Sequence, residues 1–374
     1  MNRSNIAYKG ILLIFFLCFQ QIVSAEQNSR ERMCISPDGH KVDWYVVFLF
    51  PRAVDPDEEI NFGYYDSSMS KIKYYRYSED IFPPTKITQM IIDDESSINY
   101  FFWNDDMTVV DDPEKRPAPR DRAHAKGTLA IDSSNAVFLL HSLPRFPART
   151  DSNKVLTILP SNAGYYAQHF LCVSTSARTG NEIARLLNYI NVSNNKSVKE
   201  DQVNIPANVW IERLIENKYD YTYPLEEINT IKSLDGKEFT IISKSHLNKI
   251  VPYLTTLREI FKDDFYIRTW VRPNLYPKQC DDYQLLNVID VNFDDKYQFS
   301  NKLEHSKWAV SKKKNICCFA DLNYVESQKN RGGNIVCFED KSLAKIMRGV
   351  IETHDICFYR NNFFSWLYSK FNMS

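Results

Sequence analysis

The chain has 374 residues, of which 44% are hydrophobic and only ten are glycine, enough apolar material for a sizeable core and the wrong composition for a Gly-rich scaffold. Its formal charge of −1 at pH 7 carries no polyanion-binding signature at neutrality. At about pH 5 histidines protonate and some carboxylates neutralise, so a DNA partner is favoured only in an acidic compartment.

Residues 1–25 are predicted to be a secretory signal: Arg3 and Lys9 open it, Ile11 to Phe19 is an unbroken apolar run, and Val23-Ser24-Ala25 fits a small-residue cleavage site. That run is too short to span a bilayer and no later stretch is long and apolar enough, so no membrane insertion is expected. VDWYVVFLFP, from Val42 to Pro51, is predicted to be a buried strand ended by proline. The charged, proline-bearing stretch from Asp105 to Arg122 is predicted to be a surface loop that delivers the chain to His124. Gly127 to Ile131 and Ala136 to Leu140 are then two strands joined by a turn at Asp132 to Asn135. His124 and Lys126, two residues apart at the strand entrance, share a face. Antiparallel pairing brings His141 back beside them.

Ser176 to Ile190 has a helical apolar pattern, and the polar stretch 191–204, with sequons at Asn191 and Asn195, is predicted to separate two lobes, 26–195 and 196–374. A third sequon begins at Asn372. Val251 to Phe261 is predicted to be helical and Leu285 to Phe293 a strand. His305, Lys307 and the residues to Val310 begin another strand, followed by the turn SKKKN and a strand from Cys317. Each lobe thus carries one His-x-Lys at a strand near a hairpin. Seven cysteines remain once Cys18 leaves with the signal; none has C-x-x-C spacing, and in an oxidising lumen disulfides with one thiol left over are expected.

Two His and two Lys are a sufficient set for phosphodiester hydrolysis without a metal or other cofactor. The lysines neutralise the non-bridging oxygens, one neutral imidazole attacks phosphorus, and a second, protonated one donates to the leaving oxygen and then activates water. A pair needing one neutral and one protonated imidazole is expected to work best at mildly acidic pH. A single surface His-x-Lys is ordinarily a solvated strand end, His141 alone a structural histidine, the Asp-Asp pairs (105–106 among them) solvated loop acids, and Lys312 to Lys314 either a DNA-backbone track or a solvated turn.

With RAHAKGTLAID and FLLHSLPRFP around the first motif, and EHSKWAVS and CFADLNYVESQKNRGGNIVC around the second, the sequence resembles the deoxyribonuclease II family through nearly all of the mature chain. The resemblance implies an α/β (α+β) fold similar to phospholipase D, a pseudo-dimer of two lobes, each with a central mixed sheet flanked by helices. It implies a metal-free acid endonuclease of lysosomes or the cell exterior that cuts DNA to 3′-phosphates through a phosphohistidine. Carried over, His124 and His305 are the nucleophile and acid pair, with His124 favoured as nucleophile by analogy with the first phospholipase D motif. Lys126 and Lys307 hold phosphate, His141 is a further active-site histidine, and Asp321 and Asn323 orient the second motif. The implied disulfides are Cys34–Cys172, Cys280–Cys357 and Cys318–Cys337. The chain departs from the family at Ala309, where a cysteine is frequent, and at Cys317, an extra thiol. A lipid phosphodiesterase fits less well, since five residues separate Lys126 from Asp132 and thirteen separate Lys307 from Asp321. A non-catalytic secreted glycoprotein that binds DNA or protein is the remaining alternative; oligomeric state is not legible.

Overall fold

The computed structural model describes residues 32–93, 98–106, 122–149, 155–192, 209–216, 218–219, 224–272 and 274–357. The predicted signal, Asn195, Asn372 and the expected lobe boundary at 195/196 lie outside them.

Two large sheets dominate. The first takes β1 (Trp44–Leu49), β2 (Asn61–Asp66), β3 (Lys73–Arg76), β4 (Asn99–Trp103), β5 (Gly127–Ile131), β6 (Asn135–His141) and β7 (Gln168–Ser176). Helix α1 (Pro83–Asp93) lies between β3 and β4 in the chain, α2 (Ala177–Ile190) follows β7 directly, and α3 (Val209–Ile215) packs beside α2. The strand order is β3-β2-β1-β7-β6-β5-β4. Every neighbouring pair is antiparallel, so the mixed sheet expected for this half is corrected.

The second sheet takes β8 (Glu226–Lys232), β9 (Glu238–Lys244), β10 (Phe265–Arg268), β11 (Leu285–Phe293), β12 (Tyr297–Ser300), β13 (Trp308–Ser311), β14 (Ile316–Ala320), β15 (Gly333–Glu339) and β16 (Ile351–His354). Its order is β8-β9-β15-β14-β13-β10-β11-β12, with β16 also on β11. The one parallel pair, β10 with β11, makes this sheet mixed. The helix expected over 251–261 is a π-helical turn, Tyr253–Leu257, continued by α4 (Arg258–Phe261) and stopped by Lys262 in the left-handed region. Helix α5 (Lys341–Gly349) follows β15 just as α2 follows β7, and each helix has a side-chain cap: Ser176 accepts from Thr179 N, Asp340 from Leu343 N.

β1 reads as an unbroken apolar run because both of its faces are covered. Trp44, Val46 and Phe48 face a central core; Tyr45, Val47 and Leu49 face an outer one. The strand starts at Trp44 rather than Val42 because Lys41–Val42 pairs with Cys34–Ile35 in a small hairpin. Asp43 then breaks the run, bonding Ser233 Oγ (2.6 Å) and Asp235 N (3.0 Å) of the second sheet.

The central core joins the two sheets. Phe48 meets Phe293 and Phe319, Phe50 stacks on Tyr297 at 4.2 Å, and Trp44 meets Phe338 at 4.9 Å. Helices α2 and α5 add Ile183, Leu187, Leu343 and Met347 to the same layer. Each large side chain buried there contributes about 1.5–3 kcal/mol, so the halves hold together as one hydrophobic body. Outer cores cover the far faces: α1 over the first sheet, with Cys34–Cys172, and the Tyr253–Leu257 turn over the second, with Cys318–Cys337. Cys280–Cys357 is the third bridge, and Cys317 is a buried free thiol.

Asn191 caps α2 in the left-handed conformation, is 1% exposed, and accepts from Arg122 Nη1 at 2.6 Å. The residue expected from sequence to be a glycan acceptor thus closes a helix end.

The Arg331-Gly332-Gly333 turn docks the second sheet on the first. A Cβ at Gly332 would sit 2.0 Å from the carbonyl oxygen of Ile190, a backbone atom that ends α2. Gly332→Ala is therefore expected to destabilise the protein by about 1–3 kcal/mol in thermal or urea unfolding. Gly349→Ala, where an added Cβ meets nothing within 4 Å, should be neutral or slightly stabilising.

Candidate active site

Both His-x-Lys motifs sit at the open end of a central hairpin. Lys126 immediately precedes β5, and its carbonyl accepts from the His141 amide at the end of β6 (3.1 Å). Lys307 immediately precedes β13, and its carbonyl accepts from Ala320 at the end of β14 (2.9 Å). The register expected for the first hairpin is the one observed, with Gly127 opposite Leu140.

The sheets then exchange hydrogen bonds. The His124 amide donates to Gly332 O (2.9 Å) and its Nδ1 to Asp321 O (2.8 Å). The His305 amide donates to Ala167 O (2.9 Å) and its Nδ1 to Ser142 O (3.1 Å). Gly332 and Ala167 each precede the strand beside the hairpin; Asp321 and Ser142 each follow the hairpin's second strand. The same four positions are used in both halves, and every acceptor comes from the opposite sheet. Because a carbonyl only accepts, each Nδ1 carries its proton and each Nε2 keeps its lone pair.

The surroundings of the two rings differ. His305 Nδ1 has a second acceptor, Gln168 Oε1 (3.1 Å), itself bonded by Ser142 Oγ (2.6 Å). The corresponding position of the other half is Gly333, which has no side chain. His124 instead has a carboxylate: Asp105 Oδ2 lies 3.7 Å from its Nε2. Asp105 also pairs with Lys126 and with Arg331 Nη2 (3.1 Å). Arg331 is fixed by the carbonyls of Arg122 (2.6 Å) and Ala123 (2.9 Å). Asp105 is thus a buried site carboxylate, which corrects its reading as a solvated loop acid; residues 107–121 of that predicted loop lie outside the described residues.

Burial dominates the ionisation of the cluster. It opposes charge on Asp105, but Lys126, His124 and Arg331 outweigh it and hold the carboxyl below the usual range. His124 is pushed down to about 3 by burial, with Asp105 opposing and Lys126 reinforcing. His305 is driven well below its ordinary value by burial and then Lys307 and Lys126. Both rings are therefore neutral in the free site at mildly acidic pH. Lys307 is lowered to about 7 by burial and Lys126. Asp321 is raised to about 7 by burial, against its hydrogen bond from Asn334 N and the nearby Lys126.

His141 is buried between Phe146 and Phe170, and burial and Lys126 hold it neutral. Asp321 orients the first motif, through its carbonyl on His124. Asn323 donates its backbone N–H to Gln328 Oε1 (3.4 Å), and among the described residues its Oδ1 is buried without a partner and bonds neither motif. Lys312 to Lys314 lie at the far end of the β13–β14 hairpin from Lys307, where Asp263 binds the amides of Lys313 and Lys314; they form a structural turn away from the site. His169, not singled out from sequence, accepts the Lys307 amide at Nδ1 (3.0 Å). Asp105, Arg331 and Gln168 were missed too. Asp105 is placed by the pairing of Trp103 with Gly127, which sets the residues after β4 beside those before β5 and is not legible in the local sequence. Among the described residues, no group of three or more His, Cys, Asp or Glu is suited to a metal, and no helix is long and apolar enough to cross a membrane.

The profile of the deoxyribonuclease II family matches residues 33–357. Deoxyribonuclease-2-alpha of Mus musculus is 25% identical over 340 residues, covering 87% of this chain and 93% of that protein. Cell-death-related nuclease 7 of Caenorhabditis elegans is 25% identical, covering 92% of this chain and 93% of its own. Plancitoxin-1 of Acanthaster planci is 22% identical, covering 93% and 99%.

Below about pH 7 Lys307 is cationic and Asp321 neutral; above it Lys307 loses its charge and Asp321 gains one. Both changes remove positive charge as pH rises, so dimethyl phosphate, a diester whose own charge is constant over this range, should bind more tightly at pH 5 than at pH 8 when titrated calorimetrically. Asp321→Asn should strengthen binding at pH 8 while changing it little at pH 5. Equal affinity at both pH values in the parent protein would contradict this charge assignment.

Proposed function

The chain belongs to the deoxyribonuclease II family, and from that premise we propose that it is an acid endonuclease that hydrolyses DNA phosphodiester bonds without a divalent metal, leaving 3′-phosphates. The observation that carries this reading is the reciprocal bonding of His124 and His305, with Lys126, Lys307 and Arg331 clustered about them. Matching strand orders around the two motifs support a phospholipase D-like pseudo-dimer, with 26–195 and 196–374 as its lobes. The predicted signal and the disulfides fit a secreted or lysosomal protein.

In the mechanism, the lysines and Arg331 hold the non-bridging oxygens of one phosphate. The differing surroundings favour His305 as nucleophile: its Nδ1 is anchored by two acceptors, and burial together with Lys307 and Lys126 outweighs the opposing pull of Asp105, so it stays neutral. Asp105 beside Nε2 stabilises an imidazolium at His124, and the anionic substrate adds to that effect. This reverses the assignment implied by phospholipase D. His305 Nε2 forms the P–N bond as P–O5′ breaks, and His124 delivers its proton to the departing O5′. His124, now neutral, takes a proton from water; the resulting hydroxide attacks phosphorus, P–N breaks, and the 3′-phosphate leaves. His141 and Asp321 support this centre from behind the motifs.

Purified protein should nick plasmid at pH 5 in the presence of EDTA; complete loss on chelation, restored by magnesium, would refute the metal-free reading. Replacing either histidine by alanine should abolish plasmid cleavage. A p-nitrophenyl ester, whose leaving group needs no proton, separates the roles. His124→Ala should recover most of the first step on it, a loss otherwise worth about 10²- to 10⁴-fold, whereas His305→Ala should release no p-nitrophenol. The converse pattern would restore His124 as nucleophile.

A further inference from the structure

Beside His305 lies an aromatic surface that none of the chemistry above uses. The Trp270 ring is 5.3 Å from the His305 ring, Tyr166 is 6.3 Å from it, and Tyr166 and Trp270 meet edge to face at 4.9 Å. Both aromatics are partly exposed, and neighbouring Tyr165 is 63% exposed. Arg272 lies 5.9 Å from the Trp270 ring centroid. Among the described residues no aromatic ring packs on His124.

The pair is rigidly mounted. Trp270 follows β10, whose last residue, Arg268, forms a fully buried ion pair with Glu304; Arg268 also donates to the carbonyls of Ile289 and Phe299 (3.1 Å each). Thr269 Oγ1 accepts from Tyr324 N at 3.1 Å. Tyr166 precedes Ala167, which is bridged to Glu304 and receives the His305 amide. Flat, partly exposed rings held next to a proposed phosphate-binding centre, with the Arg272 cation over one side of Trp270, match the combination that binds single nucleobases: a π face to stack on and charge to follow the backbone.

We propose that Trp270 and Tyr166 form a base-stacking subsite that takes the nucleobase of the nucleotide retaining the 3′-phosphate. This rests on the nuclease reading above and extends it to how the substrate is seated. His305, as nucleophile, lies opposite the departing O5′, so a platform beside His305 meets the base of the retained nucleotide rather than that of the leaving one. A base in a duplex is stacked on its neighbours, so occupancy requires a locally unstacked base. Recognition is of a π face and is independent of base identity.

The test measures binding at pH 5 rather than turnover, so loss of the nuclease reading and loss of this proposal give separate signals. Thymidine 3′-phosphate should bind the wild-type protein about 5- to 150-fold more tightly than deoxyribose 3-phosphate, the range of one base–aromatic stack. Trp270→Ala should abolish that difference, Tyr166→Ala reduce it, and Trp270→Phe keep most of it. No gain from the base in the wild-type protein overturns the proposal. So does a Trp270→Ala protein that weakens both ligands by the same factor, because the ring would then only support His305. A gain confined to thymidine 5′-phosphate would overturn it as well.

Discussion

Everything at the proposed catalytic centre depends on hydrogen bonds that cross between the sheets. Neither histidine is oriented by its own half: His124 is held by Asp321 and Gly332, His305 by Ser142 and Ala167. The central aromatic layer that fuses the sheets therefore sets the geometry of both histidines. Moving one sheet against the other by an ångström would break all four bonds, which need donor and acceptor within about 3.2 Å. Gly332 fits this constraint, since its lack of a side chain lets the second sheet's turn rest on the backbone end of α2.

The same closeness creates an electrostatic problem that Asp105 addresses. Lys126, Lys307 and Arg331 share a poorly solvated space, and desolvation and mutual repulsion both oppose their charges. Asp105 offsets part of this at Lys126 and Arg331, while Lys307, farther from it, bonds the carbonyl of His305 at 2.6 Å and has its affinity for a proton reduced to about neutrality. The acid preference proposed for this centre then rests on Lys307 and Asp321 more than on the histidines, which are neutral in the free site. The sequence alone pointed to the histidines, because their unperturbed values lie nearest to the relevant pH.

Much of the fold was legible wherever the signal was local. β5, β6, α2 and β11 follow from apolar pattern and turn residues, and the hairpin register correctly returned His141 to Lys126. The three disulfide pairs came through the family resemblance, and the structure contains them. What local pattern could not convey was pairing across long separations. Asp105 looked like one acid in a charged run because its role appears only when β4 lies against β5. Arg331 and Gln168 act on the opposite half, and the place of Asn191 at a helix end beside Arg122 depends on packing that its sequon does not reveal. The near-symmetry of the motifs also concealed their inequality, which rests on a glutamine on one side, a glycine on the other, and a single carboxylate.

Orientation by main-chain carbonyls has a consequence for sequence drift. An amino-acid replacement alters a side chain and leaves the carbonyl where the strand end puts it, so Ala167, Ser142 and Asp321 can each change type without depriving a histidine of its acceptor. Selection on such a centre acts on where strands stop and how two sheets meet, quantities shared by many sequences. A chain built this way can diverge to the quarter identity seen between it and its mouse and nematode relatives without a side-chain change at those positions removing an acceptor from either imidazole.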